Sequence, residues 1–531
     1  MHITPPQPPQ DIFRVRVAVP VHLYDTFDYS VSAADYEQAA IGARVLVSFG
    51  RQTLVGMITE KLAPDLPLDP RFQLKPIQAL LDQSPILDQK VLKLLTWSAQ
   101  YYQFPLGEVI QTALPGLLRQ GKDEDILTHI WRIAAHPDPD AKLKRSLKQF
   151  EAYQILKLHP AGTTETILNL SGVDTATLRA LQKKELVTCT QEIQDFRPTP
   201  VQLAQMPLTA NPDQQHAIER VMAHLHAYRA FLLDGLTGSG KTEVYLHIMH
   251  EVLKQGKQVL VLVPEIGLTP QTITRFKSRF HCDVALLHSG LNDSTRLQAW
   301  QQAKMGKASI ILGTRSAIFT PLPHLGLIIL DEEHDLSFKQ QEGFRYHARD
   351  VALYRAHLEN CPIILGSATP SIDSYHLVEQ NKLELLELNQ RAGVALMPKV
   401  HLIDLKVAKK QHGLSQKLIE QIQHTLKRQE QVLIFLNRRG YAPVLVCESC
   451  GWQANCPHCD AHFTVHTQPY TYLHCHHCGT IQRMPEACLA CNHPTLKTLG
   501  MGTAKVEAHL TELFPEHDVI RVDRDSTSRV G

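Results

Sequence analysis

No apolar run in this chain approaches the roughly 18 residues that a membrane-crossing helix needs, so no membrane partner is expected. Neither sign of charge is in excess: Lys plus Arg number 54 and Asp plus Glu 53. The overall field is therefore too weak to steer the chain onto a polyanion, and any nucleic-acid contact must come from local patches. The first residues, Met1 to Gln10, are Pro- and Gln-rich and lack a charged leader with an apolar core, which points to the cytoplasm. Of 11 cysteines, Cys189, Cys282 and Cys361 stand outside Cys-x-x-Cys pairs and are expected to be buried fillers. The paired ones read as metal ligands rather than disulfides. What is present, 531 residues with 44% apolar and 20% charged content, is enough for several folded domains at about 100 to 200 residues each.

Short β-type runs, Val15 to Val19, Thr26 to Val31, Ala43 to Phe49 and Leu54 to Thr59, predict a small N-terminal barrel or sandwich. Pro64 to Pro76 reads as a loop, and Leu87 to Tyr102 as a helix with Leu92, Leu95 and Ala99 at helical spacing. From Ser146 the pattern predicts a helix through Leu158, a second around Thr164 to Leu170, a third from Thr175 to Glu185 capped by Asp174, and a strand Leu186 to Thr190. That is a winged-helix order, equally compatible with DNA and protein contacts. After the Pro-rich linker Asp195 to Pro212, strand-like runs alternate with helices: Phe231 to Asp234, Val259 to Val263, Val284 to Leu287, Ile310 to Gly313, Leu327 to Asp331 and Ile363 to Leu365. This predicts a parallel sheet covered on both faces. A second such unit is expected from about Ser415, with Val432 to Leu436 as its first strand, a cysteine module interrupting it and Val519 to Val522 resuming it.

Gly235-Leu236-Thr237-Gly238-Ser239-Gly240-Lys241-Thr242 follows an apolar strand and opens an amphipathic helix, the context a nucleotide-phosphate loop requires. Its glycines let backbone N–H groups turn toward phosphates, Lys241 neutralises the β- and γ-phosphates and Thr242 holds Mg²⁺. Ile328-Ile329-Leu330 runs straight into Asp331-Glu332-Glu333-His334. Carboxylates at the C-terminal end of a strand sit where open α/β sheets place their sites. Asp331 is expected to orient Mg²⁺ through its water shell and Glu332 to polarise the attacking water. Between Phe338 and Arg349, the aromatics Phe338, Phe344 and Tyr346 interleave with Lys339, Arg345 and Arg349. Such a segment either stacks on bases while its cations hold phosphates, or packs its rings into the lobe interior.

These residues, with Gly366-Ser367-Ala368-Thr369-Pro370, resemble the DExH group of superfamily 2 helicases. Pro264-Glu265-Ile266-Gly267-Leu268-Thr269-Pro270-Gln271, His288-Ser289-Gly290-Leu291, Gly313-Thr314-Arg315-Ser316 and Asn437-Arg438-Arg439-Gly440 narrow the likeness to the bacterial replication-restart helicases, primosomal protein N′. The resemblance implies a multidomain α/β protein. It implies that residues 1–115 are a β domain that binds a 3′ DNA end, 116–198 a winged helix and 199–395 a RecA-like ATP-binding lobe, with residues 396–446 and 492–531 an incomplete second lobe around a zinc module at 447–491. It implies that Phe27 and Asp28, in Thr26-Phe27-Asp28-Tyr29, line the 3′-end pocket, the alternative being that Phe27 is core and Asp28 a turn residue. It implies that Gln214, in Asn211-Pro212-Asp213-Gln214, reads the adenine edge, and that Ser367 and Thr369 couple hydrolysis to movement of DNA. The implied function is ATP-driven 3′-to-5′ DNA unwinding at stalled or collapsed forks, with primosome loading for replication restart. The implied partners are forked and single-stranded DNA, single-strand-binding protein and primosome proteins including the replicative helicase loader, in a cytoplasmic, nucleoid-associated setting.

Four pairs, Cys447/Cys450, Cys456/Cys459, Cys475/Cys478 and Cys488/Cys491, make two Cys₄ zinc sites. The interval from Cys459 to Cys475 falls in the ribbon template of roughly 15 to 20 residues, so the inner two pairs share one ion and the outer two the other. The family pattern agrees with this nesting. Histidines 458, 462, 474, 476, 477 and 493 are rival ligands. Family members continue past Gly531 into later helicase motifs with an arginine finger, so the chain is expected to bind ATP-Mg²⁺, hydrolyse it poorly and present an unpaired sheet edge. The rival reading is a fork-binding scaffold that uses ATP binding as a switch; RNA unwinding is a third.

Overall fold

The structure, a computed structural model, describes residues 13–63, 74–123, 127–134, 139–143, 146–160, 162–164, 168, 171–193, 202–264, 270–391, 398–404, 410–411, 414–436, 444–459, 461–466, 471–475, 477–499 and 503–522. The chain divides into two compact units, Met1–Leu396 and Met397–Gly531.

The first unit opens with an antiparallel five-stranded sheet built from Arg14–Ala18, Phe27–Ser30, Arg44–Phe49, Gln52–Leu62 and Ile77–Leu80. The strand Ile77–Leu80, which pairs with Arg44–Phe49, was not expected from the sequence: four residues without clear alternation carry too little signal. The helix Gln89–Tyr101 starts where Asp88 accepts a hydrogen bond from the Val91 amide at 2.9 Å, a normal N-cap. Arg44, fully buried, binds Asp82 through two nitrogens and donates to the Leu118 and Lys122 carbonyls at 2.7 and 2.8 Å. One guanidinium thus ties the sheet to the segment leaving it, each of its three nitrogens donating to an acceptor of the fold.

Between Leu127 and Ile193 the described residues hold helices and a three-stranded antiparallel sheet. The helices Leu147–Lys157 and Thr175–Lys183 lie where the spacing predicts, and Asp174 caps the second through the Thr177 amide at 2.7 Å. The helix expected around Thr164 to Leu170 lies largely outside the described residues. The strand Val187–Ile193 pairs along its whole length with Leu127–Ile133, a strand missing from the sequence reading, with Trp131 opposite Cys189.

The lobe that follows holds a seven-stranded sheet in the spatial order Val284–Leu287, Ile310–Gly313, Gln258–Leu262, Leu325–Asp331, Ile363–Ser367, Ala230–Gly235 and Glu384–Leu388. Its strands pair in parallel. Successive residues leave opposite faces of a strand, and the core divides accordingly. Leu232, Leu260, Ile311, Ile328 and Ile363 belong to one apolar cluster, while Phe231, Val259, Ile310, Leu327 and Ile364 belong to the other. Burial on both faces explains why these strands read as continuous apolar runs. The first cluster also contains Leu94, Leu95, Val109 and Ile110, so the N-terminal helices pack onto this lobe. Lys90 binds Glu359 at 2.7 Å and the Trp300 indole donates to the Ala113 carbonyl at 3.1 Å across the same junction. Of the three lone cysteines, Cys361 is buried, whereas Cys189 and Cys282 are only half-buried, which corrects the expectation for those two. Burial pushes the Cys282 and Cys361 thiols up to about 12, so both stay protonated near neutral pH.

In the second unit the helices Gln416–Lys427 and Thr503–Leu513 pack through Ile419, Ile422, Val506 and Leu510. Val432 to Leu436 and Val519 to Val522 are not strands, contrary to expectation. An apolar alternating run becomes a strand only when a neighbour completes its ladder, and among the described residues none does. Leu433, Phe435, Ile520 and Val522 are exposed, whereas Ile434, Leu436 and Val519 turn toward the small core. The motif Asn437 to Gly440 lies outside the described residues, as do Glu265 to Thr269.

Candidate functional site

Three adjacent parallel strands deliver their C-terminal ends to one edge. Asp234, just before the phosphate loop, is in register with Ser367, and Asp331 is in register with Gly366. The loop turns through Gly238 and Gly240, both at positive φ (81° and 85°), where a side chain is disfavoured. The helix Lys241–Lys254 then begins with no side-chain cap, leaving its N-terminal end available to an anion. Lys241 is nearly buried and its Nζ donates to the Gly235 carbonyl at 2.9 Å. The Ser239 hydroxyl is fully buried and has no partner among the described residues.

Thr242 is half-buried, with its hydroxyl 3.3 Å from Arg275 Nη1. Asp331 accepts a hydrogen bond from the Tyr245 hydroxyl at 3.0 Å. Burial, then the adjacent Glu332 charge, holds the Asp331 carboxyl above the usual carboxylate range. Glu332 has φ of 51°, a left-handed backbone rare for a residue with a side chain and typical of places where a fold aims a functional group. Leu236, Thr237, Gly238, Gly240, Lys241 and Thr242 lie around the same cleft as Asp331 and Glu332, of about 1000 Å³. Gln214 borders it too, but its amide is engaged. Its Oε1 accepts from the Asn211 amide and its Nε2 donates to the Ser239 carbonyl at 2.8 Å. In this state Gln214 braces the phosphate loop.

His334 Nδ1 is 2.7 Å from the Ser367 hydroxyl, which also accepts from the Thr369 amide at 2.9 Å. Glu333, which the sequence reading left without a role, is 1% exposed. It accepts from the Ser371 amide at 2.7 Å and the Ser374 hydroxyl at 2.8 Å. The carboxylate cluster and the Ser367 segment are therefore joined twice.

The segment Phe338 to Arg349 divides by residue. Phe338, Phe344 and Tyr346 are 1%, 4% and 3% exposed. Phe344 packs against Tyr346, Phe319, Phe104 and Tyr102. Arg349 is buried, bonding Ser371 Oγ at 3.1 Å and Asp350 at 3.1 Å. The three rings thus pack into the lobe interior, the alternative that the sequence left open, and Arg349 is held there by polar partners. Lys339 is half-buried and Arg345 exposed. Phe27, half-buried, stacks edge-on against Phe49, and Asp28 binds Arg16 at 2.9 Å, so the strand they share is held firmly.

In the second unit the sulfurs gather as Cys447, Cys450, Cys488 and Cys491, and as Cys456, Cys459, Cys475 and Cys478, each set within 4.8 Å. No histidine belongs to either set among the described residues. The pairs Cys456–Cys478 and Cys459–Cys475 stand 3.4 Å apart, Cys447–Cys491 and Cys450–Cys488 3.6 Å. Four thiolates around Zn²⁺ at about 2.3 Å need edges of about 3.8 Å, so the donor sets fit. Each knuckle closes alike: the Cys447, Cys456, Cys475 and Cys488 amides donate to Trp452, Ala461, Thr480 and His493 carbonyls. Gly451, Gly479 and Asn492 take the left-handed backbone.

The 3′DNA-binding domain (3′BD) family matches residues 16–115, and the DEAD/DEAH box helicase family residues 211–378. The chain is 44% identical to "Replication restart protein PriA" of Haemophilus influenzae over 531 residues, which cover 97% of this chain and 71% of that protein. It is 37% identical over 582 residues to the protein of that name from Synechocystis sp., covering 92% and 69%. To that of Bacillus subtilis it is 33% identical over 582 residues, covering 95% and 71%.

Proposed function

The chain belongs to the family of replication restart protein PriA, and from that premise we propose that it is an ATP-dependent DNA helicase that opens forked DNA 3′ to 5′ to restart replication. The convergence of Lys241, Asp331 and Ser367 at one sheet edge carries this reading. The backbone from Gly235 to Gly240 cradles the triphosphate and Lys241 leaves the Gly235 carbonyl to neutralise it. Thr242 would hold Mg²⁺ and Asp331 would orient it through its water shell, and the ion would supply screening of the phosphate charge. Glu332 accepts a hydrogen bond from the attacking water and orients it toward the γ-phosphorus. His334 and Ser367 transmit the change in the cleft to the Thr369 segment. Gln214 exchanges the Ser239 carbonyl for the adenine edge.

The N-terminal β domain takes a 3′ DNA end beside Phe27 and Asp28, while Lys339 and Arg345 hold backbone phosphate. Each Cys₄ set would hold one Zn²⁺ and so stabilise the 447–491 module, which engages DNA or other primosome proteins, including single-strand-binding protein and the helicase loader. No helix of the described residues is long and apolar enough to cross a membrane; a cytoplasmic, nucleoid-associated role accords with the reading. Unwinding of a labelled fork by this chain with ATP-Mg²⁺, compared with Lys241→Ala, tests it. Fork binding with no ATP-dependent strand separation would leave the scaffold reading instead.

A further inference from the structure

Tyr245 belongs to none of the motifs, yet it sits at the centre of the motor. Lys241 and Thr242 open the helix Lys241–Lys254, and Tyr245 follows Lys241 by four positions, which places it one turn deeper on the same face. Its ring lies in the apolar cluster with Val244, Ile248 and Met249, and the residue is 1% exposed. Its hydroxyl leaves that cluster and reaches Asp331 Oδ1 at 3.0 Å. The strand beside Asp331 is shaped to admit it: a Cβ built at Gly366 would lie 1.6 Å from the Tyr245 hydroxyl oxygen. Gly366 is in register with Asp331 and precedes Ser367. The phenol therefore occupies a notch between the carboxylate that faces the cleft and the segment that follows it.

We infer that Tyr245 is a positioning residue: its hydroxyl fixes the Asp331 carboxylate in the orientation that serves Mg²⁺-nucleotide, so the helix that holds the phosphates also aims the metal-side carboxylate. A buried polar group placed at a strand end with one acceptor costs free energy unless that bond is kept. A carboxylate held by one such donor loses rotamer freedom before the metal arrives, and outer partners of this kind commonly tune metal affinity by about 10- to 100-fold. The inference rests on the nucleotide reading of the cleft.

Binding of a fluorescent ATP analogue, titrated in EDTA and in Mg²⁺, tests it on the full chain, as Tyr245→Phe, Asp331→Asn and the double variant. Phenylalanine keeps the ring in its cluster, and thermal melting checks the fold. Tyr245→Phe is expected to leave EDTA affinity within about twofold and to weaken the Mg²⁺-dependent tightening about tenfold. The same change is expected to add nothing in the Asp331→Asn background. Equal Mg²⁺ linkage in wild type and Tyr245→Phe overturns the inference alone, as does a loss of affinity that is the same with and without Mg²⁺. A wild type with no affinity for the Mg²⁺-nucleotide overturns the nucleotide reading and this inference with it.

Discussion

His334 Nδ1 lies 2.7 Å from the Ser367 hydroxyl, and that hydroxyl receives the Thr369 amide. One side chain following the acidic cluster thus touches the segment proposed to move DNA. Ser367→Ala removes this contact while leaving Asp331 and Lys241 in place. DNA-stimulated ATP turnover is expected to stay within about threefold of wild type while unwinding falls about tenfold, a coupling loss of ordinary size. Parallel ATPase and fork-unwinding assays measure the split; equal losses in both would remove the coupling role.

Phe344 and Arg345 are neighbours with opposite fates, one packed among aromatics and one in solvent. Phe344→Ala is expected to cost about 3 to 5 kcal/mol of stability, as large core truncations do. Arg345→Ala is expected to leave the melting temperature unchanged, weaken single-strand binding, and lower the salt slope by about 1. Fluorescence anisotropy across salt, with melting curves, separates them.

The motor was largely legible before the structure because its signals are local: the phosphate loop needs glycines at fixed offsets, and Asp331 ends an unmistakable apolar strand. The fates of Phe344 and Arg349 were not legible, since an aromatic or cation in a loop has the same letter whether it faces a core or water. Leu127–Ile133 was missed because a strand whose partner lies far along the chain, at Val187–Ile193, announces itself weakly. Glu333 and Tyr245 escaped because their partners, Ser371, Ser374 and Asp331, come from other elements.

Zinc removal divides the two units. The cysteine sets draw together strands that otherwise have a small apolar cluster around Leu445, Phe463 and Leu473. Each structural zinc contributes on the order of 10 kcal/mol, so a strong chelator or Cys456→Ser is expected to unfold the module. Limited proteolysis between Cys447 and Cys491 should become rapid, while ATP-analogue affinity holds within about twofold. Loss of nucleotide binding in step with the module would contradict this separation.

Glu384 accepts from Arg220 at 2.7 Å and Arg229 at 2.9 Å, fastening the edge strand Glu384–Leu388 to the lobe. The Arg220 hydrogen bond, with Arg229 assisting, holds its carboxyl below the usual range. A depressed carboxylate contributes stability above its unfolded value, near 4.5, and loses it as pH falls through the folded value. Glu384→Gln is therefore expected to cost less than about 1 kcal/mol at neutral pH, because the pair is partly solvated. That difference should vanish at acid pH. Melting curves across pH check the sign; a gap that widens on acidification would refute it.

The most direct measurement is steady-state ATP turnover with and without forked DNA, on this chain and on Lys241→Ala. Binding of the triphosphate at Lys241, felt by a gripped polynucleotide, predicts turnover that rises with the fork and falls by at least about a hundredfold in the variant. Turnover indifferent to the fork and equal in the two proteins would contradict it.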